Sequence, residues 1–191
     1  PLLSPWDNVE NYYNRAKKIN NSVVYARKDL PKQKNHLEYL KQLSDFINRS
    51  NSIDDINDIR EEMVESKLIK KSSKRKNKSN KQKSKPYHSD IYVGKNSKQN
   101  DYITIKLANK DDYWFHVKDV PGSHVILRSD NISSNDIEIA AYLAAINSSI
   151  SNDDKIEIDY TKKKNVNKPK GAKPGMVYYE DFETIIVDTS N

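Results

Sequence analysis

Apolar positions recur with a helical period through roughly the first third of the chain and with a period of two from Tyr87 onward. Ser4 before Pro5, with Asp7 and Glu10 behind it, marks a helix start. Proline at the first helical position gives up an N–H that has no partner there, and acids complement the positive helix end. Trp6, Val9, Tyr13, Ala16 and Val23 then form a coiled-coil-like seam, weakened where Asn20 and Arg27 occupy it. Pro31 is expected to kink or end this helix, because it lacks an N–H and its ring clashes with the preceding turn. A second apolar stripe runs through Leu37, Leu40, Leu43 and Ile47, with Tyr39 and Phe46 beside it. A third helix is expected from Ser52, whose hydroxyl can cap Asp55, and it carries Ile56, Ile59 and Met63. Short connections predict antiparallel packing of these helices.

Residues 70–85 have no apolar side chain and cannot bury enough surface to offset the entropy of ordering, so a flexible basic linker is expected there. Beyond it, strands are expected at Ile91 to Val93, Tyr102 to Leu107, Trp114 to Val117, His124 to Leu127, Lys155 to Ile158, Val177 to Tyr179 and Glu183 to Val187. In the second of these, Ile103, Ile105 and Leu107 would face the core while Tyr102, Thr104 and Lys106 face out. One helix interrupts the strands. Ser133 and Asp136 form its capping box, and Ile137, Ala140, Ala141 and Ala144 give it a narrow face that can sit close on a sheet. The fold class is therefore α+β: an N-terminal helical, coiled-coil-like segment at 1–69, the linker at 70–85, and a mostly antiparallel sheet domain with one packed helix at 86–191.

Composition changes this picture in two ways. Hydrophobic content of 35% is low and charged content of 31% is high, so part of the length is expected outside any core. The net charge of +6 conceals a division: residues 70–85 hold nine Lys or Arg and residues 161–176 hold six Lys, neither with an acid, which leaves −9 on the remainder. Concentrated basic segments on an acidic chain suit contact with phosphate backbones at chosen places. For 70–85 a solvated linker is the simpler reading. For 161–176 the interspersed Pro169, Gly171, Pro174 and Gly175 favour a shaped basic loop that presents Lys162, Lys163, Lys164, Lys170 and Lys173. Zero cysteines exclude disulfides and thiolate metal sites, and no apolar run approaches the ~20 residues of a membrane span.

The most unusual stretch is Asp111 to Arg128, which holds one of the two tryptophans and two of the four histidines. Alternation places Trp114, His116 and Lys118 on one strand face and Phe115 and Val117 on the other. The aliphatic and aromatic pair reads as core. The indole, imidazole and ammonium read as an outward surface able to stack on a base and neutralise a phosphate, with Arg128 and Lys95-Asn96 nearby if the strands pair. Pro121-Gly122 reads as a type II turn. Amides after it could hold a phosphate, although a plain hairpin turn is the simpler reading. His116, Asp119, Ser123 and His124 contain the ingredients of a hydrolytic triad, but no nucleophile elbow surrounds them. Four scattered histidines do not give metal-ligand spacing. No catalytic residue, metal or cofactor is expected.

That stretch resembles the RNA-binding (R) domain of the NFACT family, which includes bacterial ribosome-quality-control factors and proteins labelled fibronectin-binding. Val93-Gly94-Lys95-Asn96-Ser97-Lys98-Gln99-Asn100-Asp101-Tyr102, Asp159-Tyr160-Thr161 and Lys168-Pro169-Lys170-Gly171-Ala172-Lys173-Pro174-Gly175-Met176 are similar to further family segments in the same order. Ser4-Pro5, Asn8-Val9-Glu10 and Ile59-Arg60-Glu61-Glu62-Met63 resemble the middle helical region that precedes the R domain. The family's N-terminal and helix-hairpin-helix domains have no counterpart, so a C-terminal fragment is expected. The resemblance implies a non-catalytic, cytoplasmic module that binds tRNA and the obstructed large ribosomal subunit, with the helices as a further contact to ribosomal protein and no membrane partner. It points for RNA contacts to Lys95, Asn96, Gln99, Asn100, Trp114, His116, Lys118, Asp119, His124, Arg128, Lys162, Lys163, Lys164, Lys170 and Lys173. The alternative is a surface adhesin that binds fibronectin or other polyanionic extracellular ligands through the same lysines.

Limited trypsin digestion tests the organisation. Cleavage is expected first within 70–85, leaving a folded fragment that starts near Pro86. A fragment that unfolds would place the helices in its core.

Overall fold

The computed structural model describes residues 4–70, 90–128 and 131–190. The expected linker, apart from Lys70, and the expected start of the C-terminal domain near Pro86 lie outside the described residues. The rest forms two compact units, one ending at Glu38 and the other beginning at Tyr39.

In the first unit, Ser4 opens helix α1, Pro5–Arg49. The Asp7 backbone N–H donates to the Ser4 hydroxyl at 3.2 Å, and the Ser4 N–H donates back to the Asp7 carboxylate at 3.1 Å. The seam residues Trp6, Val9, Tyr13 and Val23 are exposed. Of the two outcomes expected at Pro31, a kink or an end, the end does not occur: the proline lies inside α1. Interior proline costs about 3 kcal/mol, and the helical residues on either side are numerous enough to carry the helix past it.

In the second unit, the last turns of α1 and helix α2, Ile53–Glu65, share an apolar cluster of Tyr39, Leu43, Phe46 and Ile59, joined by Met63, Leu68 and Met176. The expected second and third helices thus appear as the end of α1 and as α2. α2 starts where expected, its Asp55 N–H donating to the Ser52 hydroxyl at 3.1 Å. The buried Tyr39 hydroxyl donates to Glu62 at 2.8 Å, and burial raises the pKa of both groups.

The sheet contains β1 Ile91–Val93, β2 Tyr113–Val117, β3 Val125–Leu127, β4 Lys155–Lys162 and β7 Glu183–Asp188, in the order β1-β3-β2-β4-β7 with every pair antiparallel. A second, two-stranded sheet pairs β5 Val166–Asn167 with β6 Tyr178–Tyr179. Helix α4, Ser134–Ile146, begins with the full Ser133/Asp136 capping box. Ala140, Ala141, Ala144 and Ala145 are all fully buried, which lets α4 lie close on the face that carries Phe115, Val117, Ile156 and Ile158.

One expected strand is absent. Tyr102 to Leu107 is a π-helix that continues from the short helix α3, Ser97–Asp101. Its β-branched alternation looks like a strand, but Asn96 caps α3 by accepting the Gln99 N–H at 2.8 Å and sets the chain winding. The buried residues are therefore the adjacent Ile103 and Thr104 rather than alternate ones. The hydrogen bond from Ala108 N–H back to the Ile103 carbonyl, at 2.9 Å, closes the wide turn.

The second apolar cluster, Ile103, Trp114, Ile126 and Val166, lies on the other face of the sheet, where the π-helix and β5–β6 cover it. Trp114 is fully buried, which corrects its expected outward orientation. Trp114→Ala is accordingly expected to lower stability by about 3–5 kcal/mol, the usual range for deleting a large core aromatic. Urea unfolding measures it, and a change below about 1 kcal/mol would place the indole outside the core.

Candidate nucleic-acid interface

The residues named above as candidate RNA contacts separate into three roles. The first is an internal aromatic and polar network. The Trp114 ring stacks on His116 at 5.6 Å, and His124 meets it edge-on at 5.2 Å. His124 is buried, and its Nδ1 shares a 2.8 Å hydrogen bond with the Thr104 hydroxyl. Asn100 is buried as well: its Oδ1 accepts the His124 N–H at 3.0 Å, and its Nδ2 donates to the Gly122 carbonyl at 3.2 Å. Asn96 is the α3 cap, and the Gln99 side-chain oxygen accepts the Lys95 N–H at 3.1 Å. Asn96, Gln99, Asn100, Trp114 and His124 are thus committed to the fold, and His116 is half-buried beside them.

The segment after β2 differs from expectation in the same sense. Gly122 has no positive φ, so Pro121-Gly122 is not a type II turn. Glycine is required by closeness instead: a Cβ there would lie 2.6 Å from Val117 Cγ1. The amides proposed for a phosphate already have protein partners, Ser123 N–H on the Asn147 carbonyl at 2.9 Å and His124 N–H on Asn100. No triad forms, since the buried Ser123 hydroxyl has no hydrogen-bond partner and His124 bonds Thr104. Among the described residues, no three His, Asp or Glu side chains gather as a metal site would need.

The second role is charge compensation. The Lys118 ammonium pairs with Glu157 at 2.7 Å, and Asp119 holds the left-handed conformation, φ 57°, beyond β2. Arg128 donates from Nε to Asp112 at 3.0 Å and also to the Leu107 carbonyl, with its guanidinium 5.7 Å from the Tyr92 ring. A guanidinium held at three points is a clamp between β3 and the end of the π-helix.

The third role is the basic surface, and here the structure gathers more than the sequence suggested. A 3-10 turn at Lys163–Asn165 follows β4, and Val166 then enters β5. Lys163 N–H donates to the Asp112 carbonyl at 2.8 Å and Lys164 N–H to the Lys110 carbonyl at 3.0 Å. Lys110, Lys162, Lys163 and Lys164 thereby become neighbours. Lys110 and Lys164 are exposed, while Lys162 lies 3.8 Å from Asp111 and 6.0 Å from the Tyr113 ring centre. Sequence reasoning missed Lys110. The β2–β4 register, Tyr113 opposite Lys162, sets it against Lys164, and no local pattern encodes that register.

The loop between β5 and β6 is shaped rather than loose. Ala172 N–H donates to the Pro169 carbonyl at 3.0 Å, and Met176 N–H to the Lys173 carbonyl at 3.2 Å. Each closes a tight turn with glycine third, Gly171 at φ 79° and Gly175 at φ 75°. Lys173-Pro174-Gly175-Met176 has the type II pattern, proline second and positive-φ glycine third. Asp101 ties the loop down by accepting the Gly175 N–H at 2.9 Å and pairing with Lys168. Lys170 stays exposed at the tip, and the Lys173 ammonium sits 5.6 Å from the Tyr39 ring centre. Lys95 is exposed at the start of α3.

Residues 81–181 match the sequence model of the NFACT protein RNA binding domain, and residues 1–82 match that of the NFACT N-terminal and middle domains. The chain belongs to the NFACT family. It is 37% identical over 198 residues to the Rqc2 homolog RqcH of Bacillus subtilis, with 98% of the chain aligned. It is 33% identical to the Rqc2 homolog RqcH of Streptococcus pneumoniae, with 97% aligned. In both comparisons the chain spans 34% of the relative's length. Among solved structures it resembles the C-terminal part of the fibronectin/fibrinogen-binding protein from Streptococcus suis, with a TM-score of 0.87 and 30% identity, covering 99% of this chain and 78% of that one. The shaped loop and the lysine cluster thus lie within an NFACT RNA-binding domain.

The two histidines set a pH dependence. Burial lowers the His116 pKa from the ordinary 6.5 to about 4, and burial together with neighbouring His116 lowers that of His124 well below it. Between about pH 6.5 and 4 the unfolded chain binds more protons than the folded one, so stability falls as pH drops through that window. Urea midpoints between pH 7.5 and 4 are expected to decline, and His124→Gln is expected to flatten the slope. An unchanged slope would mean that other groups control it.

Proposed function

We propose that this chain is the non-catalytic RNA- and ribosome-binding part of a ribosome-associated quality-control factor. In this reading it works in the cytoplasm on tRNA and on large ribosomal subunits obstructed by peptidyl-tRNA, and the helical segment supplies a contact to ribosomal protein. One observation carries the reading. An acid-free loop, closed by two tight turns and anchored on Asp101, holds lysines at fixed positions within an NFACT RNA-binding domain. Fixed ammonium groups lose less entropy on meeting phosphates than those on a free tail. The names of the Rqc2 homologs support the quality-control assignment.

The RNA contacts fall to Lys95, Lys110, Lys162, Lys163, Lys164 and Lys170. Trp114, His124, Asn96 and Asn100 support this surface from within, because all four are buried and the hydrogen bonds of Asn96 Oδ1, Asn100 and His124 go to other protein groups. The adhesin alternative is not favoured. Its main support is the name of the Streptococcus suis protein, and selectivity for folded tRNA over heparin separates the two readings.

Co-sedimentation with large ribosomal subunits is the direct test, run against salt for two variants of equal charge change. Lys162, Lys163 and Lys164 changed to Gln are expected to weaken binding more than Lys76, Lys78 and Lys81 changed to Gln. Removing one ammonium that neutralises a phosphate lowers the slope of log affinity against log salt by about 0.7–0.9. Equal weakening in the two variants would reduce the cluster of Lys162, Lys163 and Lys164 to a diffuse positive charge.

A further inference from the structure

The outer edge of the five-stranded sheet has properties that RNA binding does not use. β7 is last in the strand order, and among the described residues β4 is its only strand neighbour. Exposed edges present unpaired N–H and C=O groups and are usually blunted by brevity, proline, lysine or a bulge. The opposite edge, β1, is short, with three residues. β7 has six, Glu183-Thr-Ile-Ile-Val-Asp188, without proline or lysine. Its register with β4 is unbroken from Tyr160 opposite Glu183 to Lys155 opposite Asp188. It is therefore a regular, extended template.

Its side chains are also wrong for an edge that only meets water. Ile186 is 63% exposed, and on α4 Tyr142 is 43% and Ile139 42% exposed. Between strand and helix runs an open groove of about 300 Å³ lined by Glu138, Tyr142, Ile185, Ile186, Val187 and Asp188. Alternation puts Ile185 and Val187 on the α4 side, where they pack with the core, and Ile186 on the other. A strand laid along β7 would meet apolar groups on both of its faces near the middle. At either end it would meet a carboxylate, Glu183 or Asp188, with Glu138 beside the groove.

We propose that the β7 edge and its groove against α4 dock an extended segment of a protein partner, apolar at its centre and flanked by Lys or Arg, which joins the sheet as a further strand. Backbone pairing supplies the attraction and the groove selects side chains, as in other strand additions. The charges decide the occupant. A second copy paired antiparallel through β7 would bring Glu183 and Asp188 of both copies to one seam, and β7 has no Lys or Arg to offset them. Nucleic acid would meet the same carboxylates with its phosphates. A basic segment meets complementary charge at each end.

The test uses the whole chain and three labelled peptides, read by fluorescence anisotropy: Arg-Lys-Val-Ile-Val-Lys-Arg, the same core flanked by Glu, and the basic peptide with proline at its centre. The basic peptide is expected to bind at least tenfold more tightly than either control, and to slow amide exchange at residues 184–187. Ile186→Lys, which adds a charge to an exposed position, is expected to weaken peptide binding tenfold or more while leaving the melting temperature and RNA binding unchanged. Glu138→Gln with Asp188→Asn is expected to weaken it several-fold. Equal binding of the acidic or proline peptide, or undiminished binding by Ile186→Lys, would overturn the proposal. So would self-association that Ile186→Lys abolishes, which would assign the edge to a second copy.

Discussion

The structure depends on the burial of β2 from both sides. Phe115 and Val117 face α4, while Trp114 faces the π-helix and the β5–β6 pair, and all three are fully buried. A strand with one wet face needs a single covering layer. This one needs two, and the elements that provide the second layer are the irregular ones. The π-helix contributes Ile103 and the Thr104 hydroxyl, β5 contributes Val166, and Tyr179 of β6 approaches the indole at 4.8 Å. Covering the indole thus fixes the chain on both sides of the basic loop.

That loop owes its shape to few contacts. Asp101, at the end of α3, holds both the Gly175 amide and the Lys168 ammonium, so the helix end and the loop position each other. Gly175 also packs tightly, since a Cβ there would lie 2.9 Å from Gln42 Nε2 and 3.2 Å from Ser97. The lysines are presented on a surface whose geometry is set before any ligand arrives. At the other end of the surface, Arg128, Asp112 and the backbone bonds of Lys163 and Lys164 do the same for the cluster that includes Lys110.

The charge division seen in the composition has a structural counterpart. Positive charge collects on turns and the loop between β4 and β6, where side chains stand clear of the core. Negative charge frames the β7 edge through Glu183, Asp188 and Glu138. Coulomb attraction and repulsion would keep the two proposed partners apart on one small sheet, phosphates toward the loop and a basic peptide toward the edge.

Several local features were legible from sequence because neighbouring residues alone determine them. Ser4, Ser52 and Ser133 cap helices, since a cap needs only a hydroxyl and an amide three residues on. Six strands fall where β-branched and aromatic runs alternate, and the face assignments along β2 are correct because the pleat fixes them. Sequence alone did not determine what lies over each face. Trp114 and His116 look outward-facing when β2 stands by itself; covering residues up to 65 positions away decide otherwise. Tyr102 to Leu107 alternates like a strand, yet the Asn96 cap and the bond to His124 wind it into a helix. Lys110 joins the lysine cluster only through strand register. Burial and register are sums over distant contacts, whereas caps and pleats are local, so tertiary structure decided the former and sequence the latter.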